Sequence, residues 1–229
     1  MNVKQLVVAA MSAGLIALQA IAAPQGSAVA PNLTAGDIAG YTVTPAGSVT
    51  QVSMSVVVPS ATTSADCNTP GQFEYAIFGI RLTANTFATV SATCGNQGNV
   101  AYFADIEAGS GAAFKNFLLR PGQTVALAVT VSGTKVTVTA SRGSTFKKVS
   151  ADPADAPYQS VGLGGWDIPG NLLPVLTTKA RFSSVMVNNT SLVALPSVRT
   201  SLSNGSVITM RPTAVNGSGG FTDVYLRQG

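Results

Sequence analysis

Two glutamates, Glu74 and Glu107, and no histidine stand in a chain of 229 residues, and that combination bounds the chemistry its side chains can do. Histidine is the usual proton carrier near neutral pH and the commonest metal ligand. Its absence excludes Ser-His-Asp triads, Cys-His dyads and His-built zinc or iron sites. Acid-base work must therefore come from carboxylates, or there is none. Gln72 and Glu74 lie two apart, so a strand would turn both to one face and set an amide near a carboxylate. Such a pair at a strand end more commonly just meets solvent. Asp105, Glu107 and Asp167 could also approach a cleft, and two carboxylates at a suitable separation could serve as general acid and base. Structural and turn roles are the commoner use of all three. No metal or other cofactor is expected.

The elements that would position these groups are strands. Val49 to Val58 alternates, with Val52, Met54, Val56 and Val58 on one face; Phe73 to Leu82, Thr86 to Thr93 and Val100 to Ile106 follow. After the turn at Pro121-Gly122, Thr124 to Ser132 and Lys135 to Ser141 flank Gly133-Thr134 and predict a hairpin. Phe146 to Ser150, Ser160 to Ile168, Ala180 to Val187, Ser206 to Met210 and Phe221 to Leu226 complete the series. Gly, Ser, Thr and Val at this density oppose helices. Many strands with Gly/Pro turns at near-regular spacing predict an all-β, antiparallel β-sandwich.

The N-terminus carries a different signal. Lys4 precedes an apolar stretch from Leu6 to about Ala23, and Ala20-Ile21-Ala22 supplies a small-x-small cleavage pattern, so residues 1–22 read as a secretory signal peptide. Residues 23–47 have no periodicity and read as a flexible lead or short pro-segment, leaving 48–229 as a single domain. Secretion to the extracellular space, with no membrane association after cleavage, is the expectation. Cys67 and Cys94 suit one disulfide in an oxidising compartment, worth roughly 3 kcal/mol in the chain-entropy model. Sequons at Asn32, Asn188, Asn189, Asn204 and Asn216 are glycosylation candidates, although Ser/Thr-rich chains produce them by chance. The formal charge of +4 is scattered, with Lys147-Lys148 the only adjacent basic pair. No basic stripe interleaved with aromatics argues for nucleic acid.

Several segments, taken in order, resemble the eqolisins, the glutamic peptidases of fungi (peptidase family G1). Val52 to Pro59 is similar to the family's first strand, and Ala76-Ile77-Phe78-Gly79-Ile80 to its Trp-Val-Gly-Ile-Asp block. Thr89 to Thr93 lies where the family has the strand bearing its catalytic glutamine, and Ala101 to Asp105 where it has Ala-Trp-Tyr-Glu-Trp. Leu119 to Val125 resembles its Pro-Gly-Asp turn, and Gly164-Gly165-Trp166-Asp167-Ile168 its Ala-Glu-Trp-Ile-Val. Leu172 to Leu176, Ala180 to Ser183 and the C-terminal strands follow suit, so the resemblance spans about residues 48 to 226.

That resemblance implies a concanavalin A-like, jelly-roll type sandwich. It also implies a mechanism in which a glutamate activates water and a glutamine amide stabilises the oxyanion. The glutamate position falls on Gly165 and the glutamine position on Ala92, within a shift of about one residue. Neither can move a proton or present an amide, so both roles disappear together. Tyr102, Phe103 and Trp166 correspond to aromatic positions of cleft-lining strands, where rings could stack on sugars or clamp a peptide, with Asp105 and Asp167 beside them. Aromatics in a chain with 7% of them are otherwise core. Three readings follow: a catalytically inactive secreted relative that binds a peptide or glycan, an acid endopeptidase with a displaced catalytic pair drawn from Gln72, Glu74 and Glu107, and a lectin-like carbohydrate binder.

Overall fold

β-Branched and small side chains fit a pleated surface buried on one side, and the chain uses them at every second position. The computed structural model describes residues 38–62, 74–94, 99–166, 175–204 and 207–225. The first half forms β1 (Ala39–Val43), β2 (Gln51–Val57), β3 (Ala61–Thr62), β4 (Glu74–Thr83), β5 (Thr86–Cys94), β6 (Val100–Ala108), β7 (Ala113–Leu118) and β8 (Thr124–Ser132). The second forms β9 (Lys135–Arg142), β10 (Thr145–Ala151), β11 (Val161–Trp166), β12 (Val175–Leu176), β13 (Ala180–Val187) and β14 (Thr190–Ser191). The last four are β15 (Ser197–Thr200), β16 (Leu202–Asn204), β17 (Val207–Pro212) and β18 (Phe221–Tyr225).

Two antiparallel sheets pack into the expected sandwich. The seven-stranded sheet runs β15, β1, β11, β4, β5, β6, β7; the nine-stranded sheet runs β10, β9, β8, β2, β13, β18, β17, β16, with β14 paired to β13. Between them lie Phe78, Ile80 and Leu82 of β4 and Ala88 and Val90 of β5, facing Val52, Met54 and Val56 of β2 and Val125, Leu127 and Val129 of β8. Each large aliphatic side chain so buried stabilises the fold by about 1.5 to 3 kcal/mol. Phe182 and Phe221 stack at 4.5 Å, and Tyr41 meets Phe221 edge-on at 4.9 Å.

The hairpin read around Gly133-Thr134 is present: β8 and β9 pair from Ala126↔Ser141 to Ser132↔Lys135, and Gly133 takes the left-handed φ of 62° that the turn requires. The reading of residues 23–47 as a flexible lead is corrected for its C-terminal part. Ala39–Val43 is β1, held between β11 and β15, with Ala39, Tyr41 and Val43 buried. Gly40 and Thr42 interrupt the apolar pattern there, so five residues carry little periodicity by themselves. β7 and β15 carry no strand signal of their own, because Lys115, Asn116 and Arg199 break up short stretches whose partners alone make them strands.

Candidate functional site

Residues paired across an antiparallel sheet point to the same side, so the registers sort each side chain into an inner or outer face. Phe78, Ile80, Val90, Ala104 and Ile106 are core residues, which assigns the even positions of β4, β5 and β6 to the interior. Ala92 pairs with Ala76 and Tyr102 and is 1% exposed. Gly165 pairs with Phe78, and a Cβ on it would lie 2.5 Å from Met210 Sδ and 3.0 Å from Asp223 Oδ2. The two positions to which the resemblance assigns catalysis therefore point between the sheets, where no substrate reaches them. One residue along, within the shift that the resemblance allows, the neighbours on the outer face are Ser91 and Thr93 on β5, and Gly164 and Trp166 on β11.

Three adjacent cross-strand rows lie on that outer face. One holds Trp166, Ile77, Ser91 and Phe103; the next Gly164, Gly79, Thr89 and Asp105; the third Gly162, Arg81, Phe87 and Glu107. Gly79 and Gly164 have φ of +150° and +140°, and a Cβ on either would sit 2.2 Å from a carbonyl oxygen of the adjacent strand. Only glycine fits there. With no side chains between them, Arg81 and Trp166 lean across the middle row until the guanidinium lies 5.8 Å from the indole centroid, within cation-π range. Trp166 is only 6% exposed, so it offers little ring surface for stacking.

The other sequence candidates separate. Phe103 is half-buried on the outer face, opposite Leu118, which is 69% exposed. Tyr102 points the other way: its hydroxyl accepts from the Ala61 N–H at 2.9 Å and donates to the Ala61 carbonyl at 3.2 Å, tying β6 to β3. Asp105 lies on the outer face, where Oδ1 accepts the Asn116 main-chain N–H at 2.9 Å. Burial pushes its carboxyl above the usual range, against the opposing pull of that N–H and of Lys115. Glu107 shares the face one row along. Gln72, Cys67, Asn32 and Asp167 lie outside the described residues, as do the side chains of Glu74, Cys94 and Asn204.

Among the sequons, Asn188 is ill suited to carry a glycan. With Asn189 it forms the two-residue β13–β14 turn, both at positive φ. Its Oδ1 accepts from the Thr50 and Gln51 N–H groups at 2.7 and 3.2 Å, and its Nδ2 donates to the Ser48 carbonyl at 2.9 Å. The nitrogen a glycan would need is thus engaged. Asn189 and Asn216 are exposed.

Sequence reading missed Asp223. It is 1% exposed, neither carboxylate oxygen has a hydrogen-bond partner of ordinary geometry among the described residues, and it lies beneath Gly165. Burial raises its pKa well above 3.8, and the nearby Gly165 N–H offsets that only in part. The signal was the two-residue period: Asp223 shares its face with Phe221, a core residue.

The sequence matches no protein-family model and no curated protein. Solved structures do match. A structure described as scytalido-glutamic peptidase with a peptide-based transition state analogue superposes at a TM-score of 0.61 and 13% identity, over 84% of this chain and 100% of the other. SCP-B, described as a member of the eqolisin family in complex with the tripeptide Ala-Ile-His, superposes at 0.58 and 15% identity over the same shares. The chain therefore has the β-sandwich fold of the glutamic peptidases, as its segment order suggested.

Proposed function

We propose that this chain is a secreted, catalytically inactive protein of glutamic-peptidase fold that holds an extended peptide on the outer face of its seven-stranded sheet. The observation that carries inactivity is the composition of that face. In whichever register the family's two positions are placed, β5 offers Ser91, Ala92 or Thr93 and β11 offers Gly164, Gly165 or Trp166. None is a carboxylate or an amide. Asp105 and Glu107 are the carboxylates in the three rows; Asp105 Oδ1 accepts the Asn116 main-chain N–H, and no side-chain carboxamide stands in these rows to take the glutamine's part.

Peptide binding is supported by the ligands in the structures of like fold and by the apolar pair Phe103 and Leu118. Secretion is supported by the apolar N-terminal stretch with its Ala20-Ile21-Ala22 pattern, and a Cys67–Cys94 disulfide belongs to the same reading. Incubating the mature protein with a denatured protein substrate at about pH 3 to 4, where carboxylates near their reference pKa are partly ionised, should give no cleavage. Calorimetry with extended peptides should give binding that Phe103→Ala weakens. Hydrolysis lost in Asp105→Asn or Glu107→Gln would overturn inactivity, and glycan binding lost in Trp166→Ala would replace peptide with carbohydrate.

A further inference from the structure

The outer face of the nine-stranded sheet contains a second feature, unconnected with the first. Two cross-strand rows there are built from small side chains: Ser141, Ala126 and Ser55 in one, Thr139, Ala128 and Ser53 in the other. Larger groups border them. Phe146 and Lys148 of β10 flank one side, in register with Ser141 and Thr139, and Met186 of β13 stands opposite Ser53. Small residues inside a rim of larger ones leave a hollow of about 310 Å³, lined also by Ser184.

Ser/Thr-rich outer faces are ordinary in sheets, so the hollow needs more than composition. One row along, Thr137 and Ser150 satisfy each other at 2.9 Å, and Thr139 Oγ1 makes a long bond of 3.5 Å to the Ala128 carbonyl. The hydroxyls of Ser53, Ser55, Ser141 and Ser184 have no partner among the described residues, so unused donors and acceptors concentrate in the hollow. Ser184 adds an independent observation. It sits in the bulge where β13 leaves register with β2, at a φ of +52°. A non-glycine residue in that region costs of order 1 kcal/mol and is kept where the surroundings demand it. Here the bulge sets Ser184 at the hollow's edge.

We propose that this hollow binds a neutral polyhydroxylated ligand, a glycan. Clustered hydroxyls on a rigid sheet can both donate to and accept from sugar hydroxyls. Phe146, 57% exposed at the rim, supplies the apolar face against which a sugar ring stacks. No residue lining the hollow is charged, so its floor anchors no sulfate, phosphate or carboxylate; the nearby cation, Lys148, stands at the rim in register with Thr139.

Titrating the isotopically labelled mature protein with neutral gluco-, manno-, galacto- and chito-oligosaccharides, followed by amide chemical shifts, tests this. One of them should shift the amides of Ser53, Ser55, Ala128, Ser141 and Ser184 in the wild-type protein. Ala126→Leu, which fills the hollow from its exposed centre, should weaken binding at least about tenfold, equivalent to about 1.4 kcal/mol. Phe146→Ala should weaken it also, with the thermal transition of both variants near wild type. Absence of shifts with every oligosaccharide, shifts confined to the seven-stranded sheet, or a preference for sulfated glycans removed by Lys148→Ala would each overturn the proposal. Should Ala126→Leu fail to fold, the wild-type shift map and Phe146→Ala decide alone.

Discussion

Replacing Asp223 with asparagine isolates one buried carboxyl and converts its burial into a pH profile. Asp223 lies in the sandwich interior at 1% exposure with neither oxygen in a hydrogen bond of ordinary geometry among the described residues, next to Met210, Phe78 and the Gly165 backbone. Desolvation disfavours its charged form, which puts its folded pKa well above the usual carboxylate value of 3.8. In the unfolded chain the group ionises near that value. Between the two pKa values the folded state therefore holds a proton that the unfolded state has released. The stability this group contributes is present in full below the unfolded pKa and is lost as pH rises toward the folded one, at about 1.4 kcal/mol per pH unit. Asparagine has nearly the shape of the neutral acid and does not ionise. Urea midpoints of wild type and Asp223→Asn, measured at unit intervals from about pH 3 to 7, should converge or favour wild type in acid. They should then diverge in favour of the variant by that slope. Asp105 has the same sign of shift and contributes to both proteins, so the difference between curves reports Asp223. Parallel curves across the range would refute the reasoning, since they would mean that the carboxylate has a partner or reaches water.

Two further outcomes follow from the same packing. Gly165→Glu, the change that the family resemblance suggests as a restoration, should yield no peptidase activity and should lower stability by more than about 3 kcal/mol, read by thermal or urea unfolding. Its Cβ alone meets Met210 Sδ at 2.5 Å, and its carboxylate enters beside Asp223. Asn188→Ala should cost about 2 kcal/mol, because it removes the acceptor of the Thr50 and Gln51 N–H groups and the donor to Ser48; mass spectrometry of glycopeptides from the secreted protein should find Asn188 unmodified.

Local pattern decided much of this molecule. Val52, Met54 and Val56, or Val125, Leu127 and Val129, alternate so regularly that strand, face and core membership follow from the period alone, and these residues are buried as read. Gly133-Thr134 between two such runs could only be a tight hairpin. The order of segments likewise pointed to the glutamic-peptidase fold that the superpositions show. Short strands were another matter. Ala39–Val43 and Ala113–Leu118 carry too few alternations to stand out and become strands because β11, β15 and β6 supply their hydrogen bonds.

Which face a residue takes in a glycine-rich strand was decided by tertiary structure. Val161 to Trp166 is buried throughout, so its sequence has no polar side to mark the outside, and a one-residue slip exchanges every face. Only pairing with β4 turns Gly165 inward and Trp166 outward. The meeting of Arg81 with Trp166 across bare glycines, the hydroxyl hollow gathered from β2, β8, β9 and β13, and the isolation of Asp223 all join residues far apart in the chain. Composition determined which chemistry was absent, because a missing residue type is missing everywhere; the sheets determined which groups remaining are wet, dry or side by side, because that depends on what the neighbouring strands place opposite them.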